Sequence, residues 1–339
     1  MKNNEQKSGL SAKYPRRTML KWGGAAVLVA AGAGFGPTLF RNRQIFRRTE
    51  LLMGSFGEIQ IVHDDAVKAT ALLDQAFAEA RRIEMLMSRF QTDSDIGRIN
   101  LHAQTEAVVI SAETAAVLQR ALHWSKVTEG RFDPAIGHLS KLWNLEDESP
   151  VPEKSQLELL ASQSFFKDIK LENNSNSQTV SFLSSEMQLD LGGIAKGYAV
   201  DQVAAVLQNS GIEQALINFG GDLMALGGRD ESKAWRVGIK DPNKPEKISQ
   251  VLNLRNQAVA TSGNYEQFRR SENGELLSHH LIDPQSARPG RLKFHGLSVI
   301  GSNCMDTDAL ATGLFFQDRS QAQQLLEDFT TGFSTIRLG

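Results

Sequence analysis

The sequence predicts an α+β fold, with helices and strands in irregular succession around antiparallel or mixed sheet. Two early stretches repeat apolar residues at helical spacing. Several short runs in the second half alternate as strands and end in glycine-rich turns, as in "ALINF", "GGD" and "LMAL". The elements do not follow the regular strand–helix–strand repetition of a parallel doubly wound sheet.

Taken in order, "LLMGSFGEIQIVH" from Leu51 alternates, with Ile59 and Ile61 on one face. Ala66 to Met87 reads as a long amphipathic helix, with Leu72, Leu73, Ala76, Phe77, Ala80, Ile83 and Leu86 at helical spacing. "SRFQTDSDIGRIN" interrupts it, and Thr114 to Thr128 forms a second helix closed by Gly130. Residues 144–156 and 172–179 read as surface loops. Tyr198 to Gln208 is helical and ends at Gly211. Strands follow in "QALINF", "LMAL", "WRVGIKDP", "QAVATSG" and "GLSVIGS". A helix from Asp306 to Phe316 and a terminal strand, "FSTIRL", complete the chain.

The 339 residues are 41% hydrophobic, enough for one large domain or two closely joined lobes. A net charge of −2 gives no basis for nucleic-acid binding. The single cysteine, Cys304, excludes an intrachain disulfide and reads as a small buried residue. The N-terminus differs in composition. Arg16-Arg17 precede Met19, Leu20 and Lys21, followed by a weakly apolar Ala/Gly/Val run and a small-residue site at Ala31-Gly32-Ala33. This pattern resembles a bacterial twin-arginine export signal. An uncleaved anchor, with membrane association through this segment, stays open. Accordingly, 1–40 is read as the signal or anchor segment, 41–50 as a basic linker and 51–339 as the folded domain.

Four segments carry candidate chemistry. In "LDLGGIAKGYAVD", Gly192-Gly193 permit close backbone approach, and Lys196 falls in the first turn of a helix. A cation is disfavoured at a helix N-terminus, so an anionic ligand would account for it; taken alone, a solvated surface lysine fits as well. In "ATSGNY", Thr261, Ser262 and the Gly263 amide are possible phosphate donors, or an ordinary turn. In "SHHLIDP", His279 and His280 would point to opposite faces of a strand, which suits one active-site histidine better than a zinc pair. In "DTDALAT", Asp308 and Thr312 stand at i and i+4 on one helix face, a set suited to a hard cation such as Mg2+ or, equally, to an ordinary helix acid and a core threonine.

Together these segments resemble the ApbE family, the FAD:protein FMN transferases. The matching stretches are "MGSFGEIQI", "MSRFQTDSDIGRIN", "GRFDPAIGHLSKLW", "LDLGGIAKGYAVDQV", "INFGGDLMALG", "VATSGNYEQF", "HHLIDPQSARP" and "SVIGSNCMDTDALATGLF", in the family's order. The resemblance implies an α+β fold related to the T-fold, with FAD in a cleft between two lobes. It implies FMN transfer from FAD to a threonine or serine hydroxyl of a target flavoprotein, with release of AMP. It also implies Mg2+, with Asp308, Thr312 and the Gly193 carbonyl as ligands. Met53, Phe90, Arg131, Phe132, Asp133, Asp190, Lys196, Thr261 and Ile282 fall at flavin- or adenine-contact positions. His280 resembles the histidine linked to transfer, and Asp201 is a second candidate base. Ser55, Thr307, Gly313 and Phe90 depart from the family's commoner residues without removing a functional group. The twin-arginine segment is similar to that of the NosX subgroup, which serves a respiratory flavoprotein. Two rival functions use the same residues or fewer: an FAD pyrophosphatase yielding free FMN and AMP, and a periplasmic flavin carrier without turnover.

Overall fold

The computed structural model describes residues 43–143, 152–161, 163–174, 177–185, 187–263, 268–270, 276–279, 281–290, 294–329 and 332–338. The described part opens with a hairpin, β1 (Gln44–Leu52) and β2 (Ser55–His63), turned by Met53 and Gly54 at positive φ. Helix α1 (Ala66–Met87) follows, started by Asp65, whose side chain accepts from the amides of Val67 and Lys68. Next come α2 (Asp95–His102), β3 (Val108–Ile110), α3 (Ala112–Val127), α4 (Gly137–Trp143) and α5 (Lys154–Ala161). Strands β4 (Ile169–Asn174) and β5 (Ser177–Phe182) precede α6 (Ala195–Asn209). Then follow β6 (Ala215–Phe219), β7 (Asp222–Leu226), β8 (Trp235–Asp241), β9 (Lys244–Leu254), β10 (Gln257–Gly263), β11 (Phe268–Arg270), β12 (Leu276–His279), β13 (Ile282–Asp283), β14 (Arg288–Pro289) and β15 (Gly296–Gly301). Helices α7 (Cys304–Leu314) and α8 (Arg319–Phe329) and strand β16 (Ser334–Leu338) finish it.

Seven strands form the main sheet, in the order β1-β2-β6-β7-β10-β15-β16, and every neighbouring pair is antiparallel. A smaller antiparallel sheet is ordered β3-β5-β4. The predicted α+β class with antiparallel sheet is therefore what the chain adopts. Strand alternation sorts side chains to the two faces of the main sheet. On one face Ile59, Ile61, Ile217, Met224, Ala258, Ala260, Leu297 and Val299 meet α1, α6 and α7 in a core that continues to the small sheet through Ile110, Val180 and Phe182. On the other, Leu216, Leu223 and Val259 are covered by Trp235, Val237, Ile239, Leu252 and Leu254 of the β8–β9 hairpin.

Three local expectations change. Sheet begins at Gln44, so most of the stretch read as a basic linker is strand β1. Its arginines serve as counter-ions: Arg47 lies near Glu58, and Arg48 pairs with Asp74. Segment 172–179 lies largely in the β4–β5 hairpin, where cross-strand pairing from Ile169↔Phe182 to Asn174↔Ser177 overrides its polar composition. Helix α7 starts two residues before Asp306 because Asn303 caps it, accepting from the Asp306 amide. The twin-arginine segment and most of the predicted 144–156 loop lie outside the described residues. Among the described residues no helix is long and apolar enough to cross a membrane.

Candidate functional site

Helices α6 and α7 cross on the helical face of the main sheet, and their crossing is unusually close. A Cβ at Gly197 would lie 2.3 Å from the Cys304 carbonyl oxygen and 2.8 Å from the Met305 Cα, so only glycine allows this approach. The contact brings the Gly197 amide to the Asp308 carboxylate, 3.1 Å away. It also sets Lys196, in the first turn of α6, beside α7.

The Lys196 ammonium pairs with Asp222, the first residue of β7, and lies 3.7 Å from Asp308. Asp222 and Asp308 are buried. Asp222 also accepts the Thr261 amide. Burial pushes both carboxyls above their ordinary range; the charge of Asp222 adds to the shift at Asp308, and Lys196 opposes it at both. With all three charged, the group carries a net −1, its two carboxylates buried and its ammonium partly exposed.

One helical turn beyond Asp308, the Thr312 hydroxyl faces the Gly192-Gly193 turn. A Cβ at Gly193 would come within 2.9 Å of Thr312 Oγ1 and 3.3 Å of the Phe132 ring. The glycine thus keeps a cradle open between the turn, the hydroxyl and the ring beneath. Ser262, the penultimate residue of β10, completes this side, its hydroxyl 3.3 Å from Thr312 Oγ1. A carboxylate and two hydroxyls therefore lie beside the glycine turn, donors that suit a hard divalent cation. No three His, Cys, Asp or Glu side chains among the described residues are placed to hold a metal ion, so such a cation would draw on hydroxyl and carbonyl oxygens as well.

Two other segments border this centre. The Gly220-Gly221 turn, at φ 63° and 100°, delivers Asp222 to the site and binds the first hairpin through Gly220 N–H to the Phe56 carbonyl at 3.1 Å. Met53 sits at that hairpin's tip, its amide donating to Glu84. On the other flank Phe90 is 61% exposed, its ring 4.6 Å from the Arg89 guanidinium. Arg89 pairs at 3.2 Å with Asp190, which in turn accepts the Gly192 amide. An exposed aromatic face is thereby linked to the glycine turn, as a stacking platform requires.

The structure brings Gly193, Lys196, Asp308 and Thr312 together, with Phe132 against the glycine turn and Phe90 linked to it through Arg89 and Asp190, while Met53 sits at the tip of the first hairpin. Several other expected site residues are engaged differently. Thr261 projects from the opposite face of the sheet, where its hydroxyl meets Ser298 at 2.8 Å; strand alternation assigns the site face to Ser262 and leaves Thr261 its backbone amide. Asp201 is taken up by α7, one oxygen accepting the Cys304 amide and the other the Met305 amide, both at 2.8 Å, which is a helix cap and not a poised proton acceptor. Burial raises its carboxyl to about 6 against those two bonds. Asp133 is likewise occupied by the amides of Ala135 and Phe166. Arg131 pairs with Asp283, and the Ile282 side chain packs among Leu139, Trp143, Leu157 and Ala287. His280 lies outside the described residues. Cys304 is buried, as expected.

Asp222 was not singled out from the sequence, and Ser262 was offered only as a possible phosphate donor beside Thr261. Each stood in a quoted motif next to a more conspicuous neighbour, Gly220-Gly221 or Thr261. The signal that could have found them is parity: Asp222 shares the face of Met224 and Leu226, and Ser262 that of Ala258 and Ala260.

Comparison with known proteins identifies relatives over most of the chain. Residues 53–336 match the model of the ApbE family. An FAD:protein FMN transferase of Treponema pallidum is 32% identical over 90% of this chain and 88% of its own length. One of Haemophilus influenzae is 30% identical over 81% of each. Among solved structures, the flavin transferase ApbE from Vibrio cholerae superposes with a TM-score of 0.75 at 25% identity, covering 88% of this chain and 98% of its own. The ApbE protein of Thermotoga maritima does so with 0.76 at 26% identity, covering 87% and 94%. With the family model matched over most of its length and relatives at this level of identity, the chain belongs to the ApbE family.

Proposed function

We propose that this protein transfers the FMN portion of FAD to a threonine or serine hydroxyl of a target flavoprotein and releases AMP. Family membership supports the reaction. The observation that carries the site is the gathering of Lys196, Asp308, Thr312, Ser262 and the Gly192-Gly193 turn around one cradle. In the step, the acceptor oxygen bonds to the phosphorus of the FMN half. The bond from that phosphorus to the bridging oxygen breaks, and its electron pair leaves with AMP. Such a transfer depends on alignment and charge compensation more than on a reactive side chain.

Each residue then has a task. Lys196 compensates phosphate charge, which accounts for a cation at a helix start. Phe90 and Met53 flank the rings, and Asp190 holds the glycine turn through the Gly192 amide. His280 is the proposed acceptor of the hydroxyl proton, on the strength of its motif. The cradle residues suit Mg2+, which Asp308, Thr312 and the Gly193 carbonyl would hold. When bound, the ion would polarise the pyrophosphate. The protein is also proposed to be exported, on the strength of the Arg16-Arg17 signal. Changing both arginines to lysine should hold it in the cytoplasm, and unchanged export would reject that.

The reaction is tested with purified protein, FAD, MgCl2 and a target domain bearing an acceptor threonine. Fluorescent FMN that stays on the target through denaturing electrophoresis, with stoichiometric AMP, is the expected result. Free FMN with AMP and an unmodified target would assign hydrolysis instead. Intact bound FAD would leave only a carrier.

A further inference from the structure

The Lys196–Asp222–Asp308 group contains one more carboxylate than the proposed metal set uses. Asp222 is 2% exposed and fixed twice, by its place at the start of β7 and by the Thr261 amide. Burying a carboxylate this deeply is unfavourable unless it is paired. Its partner is Lys196, which lies closer to Asp222 than to Asp308. Asp308 is 3% exposed, holds the Gly197 amide and shares its helix face with Thr312.

The ammonium is thus shared unequally between two buried carboxylates. Coulomb attraction grows as separation falls, so the nearer carboxylate holds it. Were Asp222 neutral, the same flexible side chain would be drawn to Asp308. Lysine is a compact point charge on a mobile four-carbon stem, and a short rotation would suffice. Asp308 would then carry an internal cation in direct competition with an external one.

We infer that Asp222 is a positioning residue that draws the Lys196 ammonium toward itself, limiting its pairing with Asp308, and so keeps Asp308 available to a divalent cation. The inference rests on the metal reading of the cradle. Asp222 sets the cation affinity of the site without being a ligand. It also steadies Lys196 at the edge of the cradle, where the phosphates of the substrate would lie.

The test is Mn2+ binding, followed by electron paramagnetic resonance of the free ion, in wild type and in the Asp222→Asn, Lys196→Gln and doubly substituted proteins. Thermal unfolding verifies that each is folded. Asp222→Asn should weaken binding at least tenfold. Lys196→Gln alone should bind as tightly as wild type or several-fold more tightly. The double variant should recover to within about threefold of wild type, because Asp308 no longer has an internal competitor. If the double variant stays as weak as Asp222→Asn, Asp222 is itself a ligand and the inference is overturned. Unchanged binding in Asp222→Asn overturns it too. Should Asp222→Asn not fold, weaker binding by Lys196→Gln has the same effect. A wild-type protein that takes up no Mn2+ removes the metal reading and the inference together, a result distinct from all of these.

Discussion

Adding one methyl group to Gly197 tests whether the α6–α7 crossing builds the site. A Cβ there would meet the Cys304 carbonyl oxygen at 2.3 Å and its carbon at 2.7 Å. Both obstacles are backbone, so no side chain can swing away. Reaching ordinary contact requires the helices to part by roughly 1 Å. Overpacking of this kind costs about 1–3 kcal/mol. Stretching the bond from the Gly197 amide to Asp308 adds about 1–3 kcal/mol, since its acceptor is charged. Alanine recovers about 1 kcal/mol of helix propensity. Gly197→Ala should therefore destabilise by roughly 1–5 kcal/mol, a fall in Tm of about 2–8 °C for a chain of this size. Calorimetry measures the first effect. The second is functional: Asp308 and Thr312 move away from Lys196 and Gly193 as α7 moves, so Mn2+ affinity and FMN transfer should drop together. An unchanged or raised Tm with full transfer would refute the idea that contact across this glycine positions the site.

Three further outcomes are expected. Asp201→Asn leaves one oxygen to serve two amides, and should destabilise by about 1–2 kcal/mol while keeping the acidic limb of the pH–rate profile; loss of that limb would return the role of base to Asp201. Burial lifts the Asp133 carboxyl from 3.8 to about 7, so the folded state binds its proton more tightly than the unfolded state; its contribution to stability should fall as pH rises from about 4 to 7, by on the order of 4 kcal/mol, and the pH dependence of urea midpoints should differ between wild type and Asp133→Asn by that contribution across the window. Asp306 accepts from Arg120, from Trp124 Nε1 at 2.7 Å and from Asn303 at 2.8 Å, so Asp306→Ala should cost roughly 2–4 kcal/mol in chemical denaturation, and a loss below about 1 kcal/mol would show that the network contributes little.

Much of this molecule is legible in its sequence because the signals are local. Alternation and turn residues place β2, β6, β7, β10 and β15. The 3.6-residue period places α1 and α6, and i, i+4 spacing puts Asp308 beside Thr312. The glycine pair before Lys196 marks a close approach without saying what approaches. Only the tertiary structure decides which partner each polar group meets. Whether Thr261 or Ser262 faces the site depends on which side of β10 the helices pack. Asp201 and Asp308 both read as acids on helices, yet the crossing assigns one to cap α7 and the other to the cradle. Asp222 gains its meaning from an ammonium 26 residues away in sequence. Local pattern follows from backbone geometry, which each residue shares with its neighbours; the pairing of buried charges follows from desolvation, which exists only once distant segments have closed around them.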